Sequence, residues 1–156
     1  MLDDARFRQV MSLFASGVTV VTSAHEEHLS GLTVSSFTSL SLNPMLVLVC
    51  IDRQAASHTT ITASGYYAIN ILAEGQEYLS RRFASSQAEK FTPGTYTLSP
   101  HGLPLLNGAL AHIECRVHAA FPGGDHTIFV GEVLAAACQE ERPLLYYRSG
   151  YHLLGR

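Results

Sequence analysis

LSGLTVSSFTSLSL (29–42), broken by Asn43-Pro44 and followed by MLVLVCI (45–51), is the stretch on which the fold turns. The first run is dense in β-branched and hydroxyl residues, the composition of a strand. The second is continuously apolar, as expected for a central strand covered on both faces. Upstream, GVTVVTSAH (17–25) reads as another strand, separated from the first run by the charged turn His25-Glu26-Glu27-His28. Downstream lie YYAINIL (66–72) and two long strand-like segments, ALAHIECRVHAAF (109–121) and HTIFVGEVLAAACQ (126–139). Between those two sits PGGD (122–125), a turn signal for an antiparallel hairpin.

Helical signals are short. Asp3 or Asp4 can cap a helix whose apolar positions Phe7, Val10, Met11 and Phe14 recur at helical spacing, with Gly17 as its end. A brief helical pattern surrounds Ser57–Thr60. From Ala73 to Ala84, Tyr78, Leu79 and Phe83 share one face while Glu77 and Arg81 stand four apart on another. The stretch from Ser85 to Gly108, punctuated by glycine and proline, reads as a long loop region. Six or seven strands in hairpin order, with two or three short helices, give a mainly β, antiparallel chain. That order favours a closed barrel over a doubly wound sheet. With no repeat, linker or low-complexity tract, residues 1–156 read as one domain.

Composition narrows the function. Apolar residues make up 47% of the 156 and charged residues only 15%, sparse enough to expect part of the surface to be covered by a second copy. The net charge is −3 and the ten Lys and Arg are scattered, which argues against nucleic-acid binding. No apolar run is long enough to cross a bilayer as a helix, and the first residues lack the order of a signal peptide. Cys50, Cys115 and Cys138 lack metal-ligand spacing and sit in apolar runs, so they read as free thiols of a cytoplasmic protein. His25/His28 and His112/His118 have no acidic partner at ligand spacing, so no metal site is expected.

Familiar catalytic motifs are missing: there is no G-x-G-x-x-G, no phosphate loop of the G-x-x-x-x-G-K type and no G-x-S-x-G. What remains is a set of hydroxyls. TVSSFTS (33–39) carries five of them, a pattern that suits a polar or anionic ligand and equally an exposed Thr/Ser-rich strand. SHTT (57–60) follows the end of the apolar strand, where a helix N-terminus would favour phosphate, or where Ser57 or Thr59 would simply cap the helix. Arg81, Arg82 and Lys90 bracket FASSQAEKF and are available as counter-charge. His126 enters a strand after a turn, placed either to orient a carboxamide and donate a proton or to serve structure alone.

In order along the chain, FASGVTVVTS (14–23), GLTVSSFTSLSLNP (31–44), LVLVCIDRQAASHTTI (46–61), YYAINIL (66–72), RRFASSQAEKF (81–91), GLPLLNGALAHIEC (102–115) and GDHTIFVGEV (124–133) resemble the flavin reductase family, the small reductase components of two-component flavin monooxygenases. The likeness covers nearly the whole chain, and the order and spacing of the segments carry it. It implies an FMN-binding split β-barrel, Greek-key-like, assembled as a homodimer that binds FMN or FAD and takes hydride from NADH or NADPH. It also implies a monooxygenase partner that receives the reduced flavin.

The same resemblance assigns residues. Thr33, Val34, Ser35 and Ser36 would meet the flavin ring edge and ribityl chain. Cys50, Ile51, Asp52, Ser57 and Thr59 would add ring and phosphate contacts. Phe83, Ala84 and Ser85 would lie near the flavin, with Lys90 or Arg82 as a phosphate partner. His126 would stand by the nicotinamide and Tyr151 would border the pyridine nucleotide. Asn43-Pro44-Met45 departs from the two prolines usual there, a change expected to touch only the turn, and the hydroxyls at 57–60 vary among relatives. Two other readings stay open: a split-barrel flavoprotein acting on another substrate, as pyridoxamine-phosphate oxidases do, and a non-enzymatic flavin- or haem-binding module.

Overall fold

A computed structural model describes residues 1–155. Helix α1 (Asp4–Met11) is capped by Asp3, whose carboxylate accepts the Arg6 N–H at 2.8 Å. Strands β1 (Ser16–Gly17), β2 (Thr19–His25), β3 (His28–Val34), β4 (Phe37–Leu42) and β5 (Met45–Asp52) follow. Then come α2 (Ala56–Ser64), β6 (Tyr66–Ile71), a 3-10 turn (Glu74–Gln76) and α3 (Glu77–Ala84). The chain continues through β7 (Tyr96–Leu98), β8 (Pro104–Leu106), β9 (Ala111–Gly123), β10 (His126–Cys138), β11 (Leu144–Tyr147) and β12 (Gly150–Leu153).

Seven strands form one antiparallel sheet in the order β3-β2-β6-β9-β10-β5-β4. The mainly β, antiparallel expectation is borne out, and the three helices are short. β3 and β4 stand at opposite ends of that order, yet only Ser35 and Ser36 connect them. Three Cα–Cα steps reach no more than about 11 Å, so the sheet must curl until its two edges meet. A seam runs where they do, and just before β4 the chain is held to β5: the Ser36 carbonyl accepts the Cys50 N–H at 3.3 Å and the Ser36 hydroxyl donates to the Cys50 carbonyl at 2.9 Å, continuing the β4–β5 ladder. Among the described residues no ladder joins β3 to β4, so the curled sheet remains open along this line.

Two clusters fill the interior. Val21, Val49, Ile51, Ile61, Tyr67, Ile69 and Phe129 pack inside the curl. Val20, Leu72, Leu79, Phe83, Leu106 and Leu144 form a second core beneath α3. Gly31 lets α3 approach β3, because a Cβ there would stand 2.6 Å from the Phe83 ring. Fully buried Asn70 joins the layers: its amide nitrogen donates to the Val20 carbonyl at 2.9 Å, and its oxygen accepts the Leu106 N–H at 2.8 Å. A buried amide this well satisfied costs little and fixes where β8 docks.

Several local expectations are corrected. Residues 29–42 are two strands and not one, because the chain turns at Ser35-Ser36 to leave one sheet edge and begin the other. β5 buries only Val47, Val49 and Ile51; Leu46, Leu48 and Cys50 face the other way, half-covered, and Met45 is 60% exposed. Helix α1 ends at Met11, well before Gly17, and the helically spaced Phe7, Val10, Met11 and Phe14 are all exposed. Tyr78 parts from the buried Leu79 and Phe83 and faces solvent. The supposed loop after Ser85 holds the β7–β8 hairpin, since Leu103 and Leu106 supply enough apolar burial to order it.

Candidate functional site

Strand β3 has a neighbour on one side only, so its outer row of main-chain N–H and C=O groups is unpaired by the sheet. A cleft of about 750 Å³ runs along this edge. Its other walls are Gln54–Ser57, where β5 passes into α2, and the segment from Ser86 to Phe91 after α3. Donors converge on it. Helix α2 starts on Ala55, which supplies no side-chain cap, and the N–H groups of Ala56 and Ser57 find no backbone acceptor among the described residues. Ser57 is 3% exposed. Ser30 is 6% exposed and its hydroxyl has no hydrogen-bond partner. A buried hydroxyl left unbonded costs on the order of 1–3 kcal/mol, so Ser30 is a polar side chain held beneath this wall without a partner.

Lys90 also lines the cleft, and its ammonium donates to the Phe83 carbonyl at 3.3 Å. Burial lowers its pKa from the ordinary lysine value, and a cation that is partly desolvated attracts an anion more strongly. Unsatisfied amides, hydroxyls and a half-buried cation fit a phosphate, and the edge of β3 offers donors and acceptors for a flat heterocycle. The residues present therefore fit a flavin nucleotide.

Beyond the turn-side residues of β3, a smaller pocket of about 210 Å³ opens between β3, α3 and the β11–β12 hairpin. Thr33, Ser35, Ala84 and Tyr151 line it, together with Val18, Ser80 and Tyr146. The Thr33 hydroxyl donates to the Ser80 carbonyl at 2.6 Å, and the Ser80 and Tyr151 hydroxyls share a hydrogen bond of 2.6 Å. Tyr151 meets Tyr146 edge-on at 5.3 Å, and the Arg81 guanidinium lies 5.0 Å from its ring centre. The hairpin turns at Arg148 and Ser149, both at positive φ (50° and 60°), which sets the two tyrosines side by side.

Of the residues singled out from sequence, four thus share the small pocket, and Ser57 and Lys90 share the cleft. Ser36 and Cys50 bind each other where the β4–β5 ladder begins. Ser85 closes the end of α3, its hydroxyl donating to the Arg82 carbonyl at 2.6 Å. Val34, Ile51 and Phe83 turn their side chains into the core, leaving only main chain for a ligand. Thr59 is exposed on α2 and lines neither cavity. Asp52 accepts the Gln54 N–H at 2.9 Å and lies across the ladder from His126. Missing from the sequence reading are Ser30, Ser80 and Tyr146. For Ser80 a signal existed, a serine on the buried stripe of an amphipathic helix.

His126 lies outside the lining of both cavities, at the same sheet end as the start of α2. Its Nδ1 is 2.7 Å from the Asp125 carboxylate, and that hydrogen bond holds the Asp125 carboxyl below the ordinary range. Asp125 therefore stays ionised near neutral pH and accepts from Nδ1–H, which fixes the ring's orientation. The turn is fastened to the β5–α2 connection, where Arg53 N–H donates to the Asp125 carbonyl at 3.1 Å and its guanidinium to the Gly124 carbonyl. Next along β10, Thr127 shares a 2.8 Å hydrogen bond with Nε2 of His58 in the first turn of α2. The His126 turn and the α2 end of the cleft are thus one braced unit.

Comparison with known proteins bears on this geometry. Residues 11–155 match the flavin reductase like domain family. The chain is 41% identical over 151 residues to the reductase subunit of a flavin-dependent monooxygenase from Rhodococcus jostii, covering 96% of this chain and 77% of that one. It is 40% identical over 153 residues to an NADH-dependent FAD reductase from Streptomyces globisporus, covering 95% and 84%. Among solved structures, an NADH:FAD oxidoreductase from Streptomyces globisporus in complex with NAD and FAD fragments superposes with a TM-score of 0.94 at 38% identity, over 98% of this chain and 93% of that chain. Nitrilotriacetate monooxygenase component B from Mycobacterium thermoresistibile superposes with a TM-score of 0.94 at 40% identity, over 98% and 87%.

Proposed function

The chain belongs to the flavin reductase like family, and on that footing we propose that it is an NADH-dependent flavin reductase that reduces FMN or FAD for a partner monooxygenase. The observation that carries the reading is the cleft along β3, where unpaired main-chain groups, the uncapped start of α2 and Lys90 converge. A flavin bound there would supply the redox chemistry, accepting a hydride from the nicotinamide of the dinucleotide. The protein binds and aligns. The β3 edge and Ser35 would hold the ring, while Ser57, the α2 N–H groups and Lys90 would hold the phosphate. Thr33, Ala84 and Tyr151 shape the small pocket beside the cleft, which would bring the nicotinamide up to the flavin, and proximity would be the main catalytic contribution. His126, oriented by Asp125, would offer a proton or hydrogen bond at its other ring nitrogen to a dinucleotide that reaches the α2 end of the cleft.

NADH is favoured over NADPH because relatives from Streptomyces globisporus and Rhodococcus carry NADH-dependent in their names. The partner rests likewise on relatives described as reductase components of monooxygenases. A homodimer belongs to the same reading: Leu40, Leu42 and Met45 around the β4–β5 turn are 50%, 85% and 60% exposed, an apolar patch that a second copy would cover. Among the described residues no helix is long and apolar enough to cross a membrane. The three free cysteines suit the reducing cytoplasm. The test is NADH and NADPH oxidation with and without FMN, FAD and riboflavin. Flavin-dependent oxidation of NADH is expected; a yellow protein reduced by dithionite and never by either dinucleotide would point to a flavin-binding module instead.

A further inference from the structure

Ser80 stands out as a polar residue placed at a cost. It lies on α3 between Leu79 and Phe83, and it is fully buried. At such a position alanine would be the better helix former and would bury no hydroxyl. Its hydroxyl has one partner, the phenol of Tyr151 at 2.6 Å. Its carbonyl receives the Thr33 hydroxyl, also at 2.6 Å. One residue of α3 thereby ties the edge strand β3 to the C-terminal hairpin. The tie passes through the lining of the 210 Å³ pocket, because Thr33, Ser80 and Tyr151 all border it.

The remaining surroundings of Tyr151 leave its phenol end to Ser80. The ring edge rests against Tyr146 and Arg81 lies 5.0 Å from the ring centre. Arg81 is itself held by Glu77 at 2.8 Å, on the exposed side of the helix. Those contacts limit the ring's tilt, whereas the hydroxyl bond fixes how far it reaches over the pocket. Ala84, one helical turn after Ser80 on the same face, keeps the floor low. A larger residue at either position would fill the cavity.

We infer that Ser80 is a positioning residue: through the Ser80–Tyr151 hydrogen bond it holds the tyrosine ring as the wall against which the dinucleotide's nicotinamide is seated. This rests on the flavin reductase reading, and it concerns the hydride donor more than the flavin, since the phosphate-binding groups lie in the neighbouring cleft. Loss of one neutral hydrogen bond corresponds to about a five-fold change. Ser80→Ala and Tyr151→Phe should each raise the KM for NADH about five-fold, with kcat and the Kd for FMN, read by fluorescence quenching, within about two-fold of wild type. The double variant should be no worse than either single one, because both remove the same bond.

Chemical denaturation of the flavin-free protein supplies an independent readout. There the two substitutions should be non-additive by the same logic, and the double variant should unfold at the midpoint of the singles. Additive effects on KM and on the unfolding midpoint would overturn the proposal. So would a loss of FMN affinity equal to the rise in KM, which would mean a collapsed site, or an unmoved KM in Ser80→Ala. A wild-type protein that oxidises no NADH with FMN or FAD overturns the parent reading as well; active wild type with additive variants overturns the Ser80 role alone.

Discussion

The two sides of the curled sheet are built on opposite rules. On the closed side, where β2, β6 and β9 lie shoulder to shoulder, Val20, Val21, Ile69 and Asn70 are completely buried, and the one amide among them has both ends bonded. On the open side, where β3 parts from β4, the edge strand is unpaired, α2 begins without a cap, and the Ser30 hydroxyl has no partner. The buried amide of the closed strands is paired within the fold, whereas the β3 edge and the start of α2 keep main-chain groups free. That contrast separates stability from function, so substitutions on the two sides should fail in different ways.

The largest effect belongs to the closed side. A Cβ on Gly131 would stand 2.4 Å from the Tyr67 hydroxyl and 2.7 Å from Cβ of Cys115. Both are fully buried, and Tyr67 is anchored by donating to the Phe129 carbonyl at 3.0 Å, so neither can move aside cheaply. Gly131→Ala should lose about 3 kcal/mol of unfolding free energy in urea, while the folded fraction keeps its affinity for flavin. Retained stability would mean that this side is looser than its packing indicates.

At the open side the order reverses, with function lost and stability kept. His126→Ala should lower kcat/KM for NADH roughly 10- to 100-fold, with FMN affinity changed little; unaltered steady-state kinetics would remove His126 from the mechanism. Lys90→Met removes an ammonium whose one bond in the fold is to the Phe83 carbonyl, so its melting temperature should fall little. It should weaken FMN about ten-fold while leaving riboflavin, which has no phosphate, unaffected. Equal losses for both flavins would place the Lys90 ammonium away from the phosphate.

The smallest effect contrasts two thiols. Burial pushes the Cys115 thiol up to about 12, so it stays protonated and shielded across the ordinary pH range and gains nucleophilic thiolate only far above it. Cys138 is exposed at the end of β10. A maleimide at pH 8 should label Cys138 quickly and Cys115 only after denaturation. Fast native labelling of Cys115 would show that the closed side opens readily.

Much of this contrast is legible in the sequence, for identifiable reasons. Strands such as 66–72 and the 109–139 hairpin announce themselves by β-branched content and by the turn between them. The seam does not, because strand propensity continues unbroken through Val34-Ser35-Ser36-Phe37 and nothing local says that the chain changes sheet edges there. The β7–β8 hairpin was hidden for a related cause, since its order comes from burying Leu103 and Leu106 against the rest of the molecule. The hydroxyls at 33 and 35 and Lys90 could be picked out by chemistry and family likeness. Ser30 could not, because it looks like an ordinary serine until its neighbours are in place, and Ser80 offered only its position on the buried stripe of α3. Val34, Ile51 and Phe83 show the converse: a motif can be recognised while its side chains serve the core.

Hydrogen exchange with and without FMN tests the division between the two sides most directly. Amides of residues 29–36, 54–59 and 84–91 should slow when FMN is added, and those of β6 and β9 should keep their rates. Protection confined to β6 and β9, or slowing spread evenly over the sheet, would contradict a flavin seated at the seam.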